Sequence, residues 1–382
     1  MLKIGIVTGE YPPHQGGVGD FSREIALALA ALGHEVHVMT HVRARVDPSI
    51  HLHPMIRAWS LPSLFRVRDL ARSISLEVVN IQYQAAAYGM TPPIHFLPSL
   101  LTVPSVVTFH DLRVPYLFPK AGPLRRVAVN FLARSAWGAI VTNPEDRLSL
   151  ERDSKIKHLA EIPIGSNIKP FAVHYGIRNT QYASHWGFTE ADVVVGYFGF
   201  LNASKGGETL FRAIAQLPDC KLLLIGGRTG TSDPTNTAYA AELDSLAAQL
   251  GVASRIVRTG YLPPDETTKA FLACDLMAMP YMDGASFRRG TFMACLAHGL
   301  PTISTLPAVP LPQLRDGENI RLVPPESPDA LATAIRELAA DLPVRTRLSG
   351  GALKLADQFT WDKIAERMGE FLTEILSITK RG

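Results

Sequence analysis

Residues 3–41, KIGIVTGEYPPHQGGVGDFSREIALALAALGHEVHVMTH, read as strand, helix, strand. A short β-branched run, KIGIVTG (3–9), ends at a glycine. Phe21, Ile25, Leu29 and Leu32 follow at helical spacing, with Asp20 placed to cap the start and Gly33 the end. EVHVMTH (35–41) then returns to strand composition. Short apolar strands joined by helices build a parallel sheet covered on both faces.

The same alternation recurs in VVNIQY (78–83), PSVVTFH (104–110) and AIVTN (139–143). A second series comprises VVVGYFGF (193–200), KLLLIGG (221–227), RIVRTGYL (255–262), DLMAMPY (275–281) and PTISTL (301–306). Two such series in tandem predict an α/β protein of two doubly wound domains, with ligands at the carboxyl ends of the strands in the crevice between them. Residues 167–190 show no clear period and are read as the seam. FTWDKIAERMGEFLTEIL (359–376) is an amphipathic helix with Ile364, Met368, Phe371 and Ile375 on one face, and no strand follows it. The expected division is 1–175, 176–358 and a closing helix over 359–382.

The 382 residues are 47% hydrophobic and 19% charged, enough for packed cores and unlike a disordered chain. A net charge of +3 does not mark a nucleic-acid partner. Arg43, Arg45, Arg66, Arg68, Arg72, Arg113, Arg125, Arg126 and Arg134 all lie in the first 140 residues. They read as a solvated surface or as a face that meets acidic lipid headgroups. Cys220, Cys274 and Cys295 are scattered and make no metal or disulfide pattern, which fits a reducing cytoplasm. No apolar run reaches the roughly 18 residues of a membrane span. A cytoplasmic protein is expected, at most peripheral to the inner face of the membrane.

Four groups could carry chemistry. Gly16, Gly17 and Gly19 in HQGGVGDF (14–21) either let a ligand approach a helix start or make a plain tight turn. His110, at the carboxyl end of PSVVTFH, can bond a hydroxyl or serve as a satisfied structural histidine. Lys205 follows the first strand of the second series and enters a helix start, a fit for phosphate. MDGASFRRGT (282–291) opens its backbone with Gly284, Ser286 and Gly290, and brings Arg288, Arg289 and Thr291 to a helix N-terminus. The macrodipole disfavours cations there, so paired arginines point to an anion; the bland reading is surface charge. His51-x-His53 is the nearest approach to a metal pattern, but its segment lacks further ligands and is read as a loop. No metal site and no cofactor are expected.

At this point the order of motifs resembles the family-4 retaining glycosyltransferases. The resemblance rests on EYPPHQGGVGDFSREIALALAALGHEVHV (10–38), TFHD (108–111), IPIGSN (162–167) and GFLNASKGGETLFRAI (199–214). TGYLPPDE (259–266), AHGLPTIST (297–305) and FTWDKIAERM (359–368) extend it over nearly the whole chain. It implies the GT-B fold, two Rossmann-like domains with an interdomain cleft, and a final helix crossing back to the first domain. It also implies metal-independent transfer, with retention, from a UDP- or GDP-sugar to a sugar, polysaccharide or lipid-linked acceptor. By position, His110 would contact the donor sugar, Lys205 the diphosphate, and Gly16 and Gly17 the phosphate or sugar. The family's Glu-x7-Glu falls, counted back from Gly299, on Ser286 and Ala294; counted forward from Pro280, Asp283 or Gly284 matches the first glutamate. Phe200 stands where an arginine is expected, and Arg288 and Arg289 are read as restoring the charge. The missing glutamates keep open a nucleotide-sugar-binding relative of reduced turnover. The Rossmann-like strands alone motivate an NAD(P)-dependent oxidoreductase, against which stand the absent G-x-G-x-x-G and His41 where strand two would end in an acid.

Overall fold

The computed structural model describes residues 1–14, 16–45, 47–112, 122–227 and 235–380. The chain divides into two compact units, Met1–Asn167 with Thr360–Gly382, and Ile168–Phe359. The first unit holds strands β1 (Lys3–Thr8), β2 (Glu35–His41), β3 (His51–Ile56), β4 (Val78–Tyr83), β5 (Ser105–Phe109), β6 (Gly138–Val141) and β7 (Leu159–Glu161). They form one parallel sheet in the order β3-β2-β1-β4-β5-β6-β7. The second unit holds β8 (Val193–Phe198), β9 (Cys220–Ile225), β10 (Ile256–Arg258), β11 (Leu276–Met279), β12 (Thr302–Thr305) and β13 (Arg321–Val323). These too are parallel, in the order β10-β9-β8-β11-β12-β13. Both units therefore show the Rossmann-like winding expected.

Side-chain alternation along each strand feeds two cores in the first unit. Ile4 and Ile6 of β1 enter one cluster with Val36, Val38 and the helix Gly17–Ala31. Val7 enters the other, with Met39, Val79 and Ile81. The C-terminal helix (Trp361–Thr379) belongs to the first of these cores through Ile364, Met368, Phe371 and Ile375. It packs close because residue 138 is glycine: a Cβ there would stand 3.0 Å from Phe371 and Ile375. The Trp361 indole N–H donates to the Ser166 carbonyl at 2.8 Å, and Arg367 donates to the Glu161 carbonyl at 2.7 Å.

Several local expectations are corrected. Gly16, not Asp20, caps the first helix; the Asp20 N–H donates to the Gly16 carbonyl, so Asp20 lies inside the first turn. Leu32 follows the last helical residue and is exposed, while Gly33 has the positive φ of +86° expected of a helix stop. Residues 51–56 are an edge strand rather than a loop, because His51, Leu52, His53, Pro54 and Ile56 pair with β2, with a register shift that skips Met55. Only Ile256–Arg258 of the 255–262 segment is strand. The seam contains a short helix, Thr180–His185, capped by the Asn179 side chain. β7 and β13 escape sequence reading because three residues show no period.

Candidate active site

Each sheet reverses its winding once, between β1 and β4 and between β8 and β11. Ligands of open α/β sheets bind outside the carboxyl ends of the strands at such a reversal. In the second unit the strands flanking it deliver Gly199, Lys205 and Tyr281. Tyr281 is buried and organises the cations: the Arg289 guanidinium lies 4.1 Å from its ring centroid and Lys205 Nζ 5.4 Å. Its hydroxyl hydrogen-bonds Thr291 Oγ1 at 3.0 Å. Two glycines allow the loops this closeness. Gly199 has φ +115° and a Cβ there would meet Thr291 Cγ2 at 2.8 Å; Gly206 has φ +71° and a Cβ there would strike the Pro280 carbonyl.

Arg288 and Arg289 are not surface charges: their side chains are 3% and 6% exposed. The anion they face is the chain's own Asp283. Arg288 donates to Asp283 Oδ2 at 2.7 Å and Arg289 donates to Oδ1. Asp283 thus orients both guanidinia. Arg289 is the N-cap of the helix Gly290–Ala297, so the pair sits at that helix's positive end. Ser286 is buried, and its carbonyl accepts from the Arg289 N–H at 3.2 Å. Apart from its chain neighbours and the helix's own backbone, no described atom lies within 4 Å of where a Gly290 Cβ would stand, which leaves the helix start approachable. Ala294 is fully buried inside that helix.

In the first unit, His110 follows β5 and is half-buried. Burial pushes its pKa down to about 3, against a raising effect of Asp111, so the ring is neutral at physiological pH. A chain of buried polar side chains sets its tautomer. Asn80 Nδ2 donates to Thr108 Oγ1 at 2.9 Å, and Gln82 Nε2 donates to Asn80 Oδ1. Gln82 Oε1 is then an acceptor, and His110 Nε2–H donates to it at 2.9 Å. The proton sits on Nε2 and the lone pair on Nδ1. Phe21 meets the His110 ring edge-on at 4.7 Å and is itself met by Trp361 at 5.4 Å, so the C-terminal helix buttresses the histidine.

The glycine loop carries carboxylates. A Cβ at Gly16 would strike Glu10 Oε2, whereas Gly17 faces open space. Glu10 accepts the Gly19 N–H, so one of the helix-start donors is already engaged within the chain; burial and the neighbouring Asp20 push the Glu10 carboxyl up. Gln15 of this loop lies outside the described residues.

Residues 16–163 match the family model described as "Glycosyl transferase 4-like domain", and residues 192–341 match "Glycosyl transferases group 1". The chain belongs to the family-4 glycosyltransferases. It is 28% identical to the D-inositol 3-phosphate glycosyltransferase of Corynebacterium diphtheriae, over 71% of this chain and 65% of that protein. It is 24% identical to that of Corynebacterium kroppenstedtii, over 98% of this chain and 90% of that protein. Among solved structures, sucrose-phosphate synthase from Thermosynechococcus elongatus superposes with a TM-score of 0.78 at 21% identity, covering 99% of this chain and 100% of that one. The HepE protein of Anabaena, solved with UDP and glucose, superposes with a TM-score of 0.75 at 20% identity, covering 98% and 100%. These structures share the GT-B fold with this glycosyltransferase.

Of the residues singled out in the sequence, the glycosyltransferase brings Lys205, Arg289 and Thr291 onto Tyr281, and ties Arg288 and Arg289 to Asp283. Sequence reading missed Tyr281, Asn80, Gln82 and Glu10. Asn80 and Gln82 left a usable signal: two polar residues two apart, on one face of a strand otherwise apolar.

The carboxylates have a stability consequence. Burial first, then the Glu24 charge, push Asp20 up to about 6 from 3.8, against Arg23 and a hydrogen bond with Asn167. The folded state keeps a proton that the unfolded state releases, so stability falls as pH rises from 3.8 toward 6 and stays reduced above. Asp20→Asn is expected to stabilise the protein above pH 6 by about 1–3 kcal/mol and to bring no gain below pH 4. Identical melting of the two proteins at pH 8 would remove this electrostatic account.

Proposed function

We propose that this glycosyltransferase moves a sugar from a UDP- or GDP-linked donor to a hydroxyl of a sugar, polysaccharide or lipid-linked acceptor, with retention and without a metal. The observation that carries this reading is the gathering of Lys205 and Arg289 on Tyr281 beside a helix start, at the carboxyl ends of β8 and β11. A departing diphosphate accumulates negative charge, and preoriented cations stabilise it most where water is excluded. Guanidinium groups supply forked donors to phosphate oxygens. Here Asp283 holds both forks in place, while Ser286, Gly290 and Thr291 frame the helix start. The binding of UDP by HepE supports a uridine donor.

The reaction asks for no side-chain nucleophile. The bond from the anomeric carbon to the leaving phosphate breaks with oxocarbenium character, and the acceptor oxygen attacks on the same face. The leaving phosphate takes the acceptor's proton. His110, neutral and tautomerically fixed, binds the donor sugar's hydroxyl. Gly16 and Gly17 lie against sugar rather than phosphate, because Asp20, ionised above about pH 6, repels an anion at that loop. Buried Ala294 cannot hold a ribose, which favours as second reading a binding protein with reduced turnover.

A peripheral membrane contact belongs to the same proposal. On the helix Gly122–Ser135, Leu124 and Val127 are 73% and 64% exposed, and Phe131 also faces solvent, amid Arg125, Arg126 and Arg134. Apolar side chains between arginines suit an anionic bilayer surface. Arg113 lies outside the described residues. No helix among the described residues is long and apolar enough to cross a membrane. Co-sedimentation with vesicles containing acidic lipid should exceed that with neutral vesicles; equal recovery refutes the contact.

Thermal shift and product analysis with UDP, GDP, ADP and their hexose conjugates test the donor assignment. A uridine or guanosine diphosphate at 100 times its Kd stabilises by about 2.7 kcal/mol. Stabilisation with transferred or hydrolysed sugar supports the enzyme. Stabilisation without product supports the binding protein, and no response to any nucleotide overturns both.

A further inference from the structure

The opposite end of the first sheet carries an independent cluster. Glu35 and His37 stand near the amino end of β2, and His51 and His53 near the amino end of edge strand β3. His37 pairs with His51 in the parallel register, and alternation puts all four side chains on one face. Ligand atoms of Glu35, His37 and His51 lie within 4.8 Å of one another. His37 Nε2 is 2.9 Å from Glu35 Oε1, and His37 Nδ1 is 3.0 Å from His53 Nε2. The rings of His37 and His51 stack at 4.6 Å.

We propose that Glu35, His37 and His51 bind a divalent transition ion of the zinc class. Two imidazoles and a carboxylate, with a fourth position left to water, suit zinc, cobalt or nickel rather than magnesium or calcium. Tetrahedral zinc with bonds near 2.0–2.1 Å sets its ligand atoms roughly 3.3 Å apart. The cluster reaches that spacing by turning the exposed His51 ring and the partly exposed Glu35 carboxylate, while buried His37 stays fixed. Once the metal takes His37 Nε2, His37 carries its proton on Nδ1 and donates it to His53 Nε2. A ligating imidazole normally makes such an outer hydrogen bond, and it fixes ring orientation.

One group opposes the ion. Lys3 Nζ lies 2.8 Å from Glu35 Oε1 and competes for that carboxylate. The lysine is partly exposed and must swing away for the metal to enter. Its removal therefore strengthens binding, which a chance histidine contact elsewhere on the surface would not show. The site clips the edge strand β3 to β2. It lies at the amino ends of the strands, whereas His110 follows the carboxyl end of β5, so it does not depend on the transfer reaction.

The test titrates tag-free full-length protein with Zn2+ against a chromophoric chelator, and with Co2+ in the visible. One Zn2+ per chain is expected, with an intense Co2+ band of low coordination number. His51→Ala and Glu35→Gln, both at accessible positions, should each weaken Zn2+ at least tenfold, and Lys3→Met should tighten it several-fold. Zn2+ should raise the melting temperature of the parent and not of His51→Ala. Equal affinity of the parent and His51→Ala, or a weak octahedral Co2+ spectrum, overturns the site.

Discussion

His110→Ala should lower sugar transfer by about 10²–10⁴-fold while the protein remains folded. The imidazole is the first unit's reactive-looking group, yet with a pKa near 3 it cannot act as a cation or as a general acid at neutral pH. What it offers is a fixed lone pair on Nδ1, because Nε2–H is committed to Gln82. A hydroxyl that bonds this lone pair is held in one orientation as positive charge develops at the sugar. Two further outcomes separate that role from bulk packing. The pH dependence of turnover should show no inflection assignable to His110 between pH 5 and 9. Gln82→Ala should cost about tenfold in turnover with little change in KM, since it frees the ring to adopt the other tautomer. Full turnover in His110→Ala would remove the histidine from the mechanism.

Arg289→Ala should weaken nucleoside diphosphate binding by about 1–3 kcal/mol, or roughly 5- to 150-fold in Kd. The guanidinium is buried on Tyr281 and bonded to Asp283, so its loss removes the proposed phosphate donor and also a cation–π contact of about 0.5–2 kcal/mol. Arg288→Ala leaves that stacking intact and should fall within the same binding range. Arg289→Lys keeps the charge but not the fork, and should lie between Arg289→Ala and the parent. Calorimetry with UDP and GDP, beside melting curves for each variant, reads binding and stability separately. Unchanged affinity in both alanine variants would end the diphosphate assignment.

The cation cluster was half legible. Paired arginines at a helix start implied a neighbouring anion, and Asp283 is one. That the anion is internal follows from how the 282–289 loop folds back, and a loop has no period from which side-chain direction can be read. Lys205 and Arg289 are far apart in sequence and meet through Tyr281, which looked like the polar end of an apolar strand. The glycine loop was read from its glycines alone. The Glu10 side chain that fills the space beside Gly16 comes from the other side of the turn.

Local periodicity was sufficient for the alternation of the longer strands and helices, the parallel winding of both sheets and the buried face of the final helix, though not for the edge strands β3, β7 and β13. Those features depend on which residues lie two, three or four apart, and that spacing is written along the chain. The chain Asn80–Gln82–His110, the wall of Phe21 and Trp361 behind the imidazole, and the meeting of Glu35 and His37 with His51 depend on something else. Parallel neighbours are never joined by a tight turn, since a connection must run back between them. Their register and the sheet order choose which side chains touch, and both are settled only when the core packs.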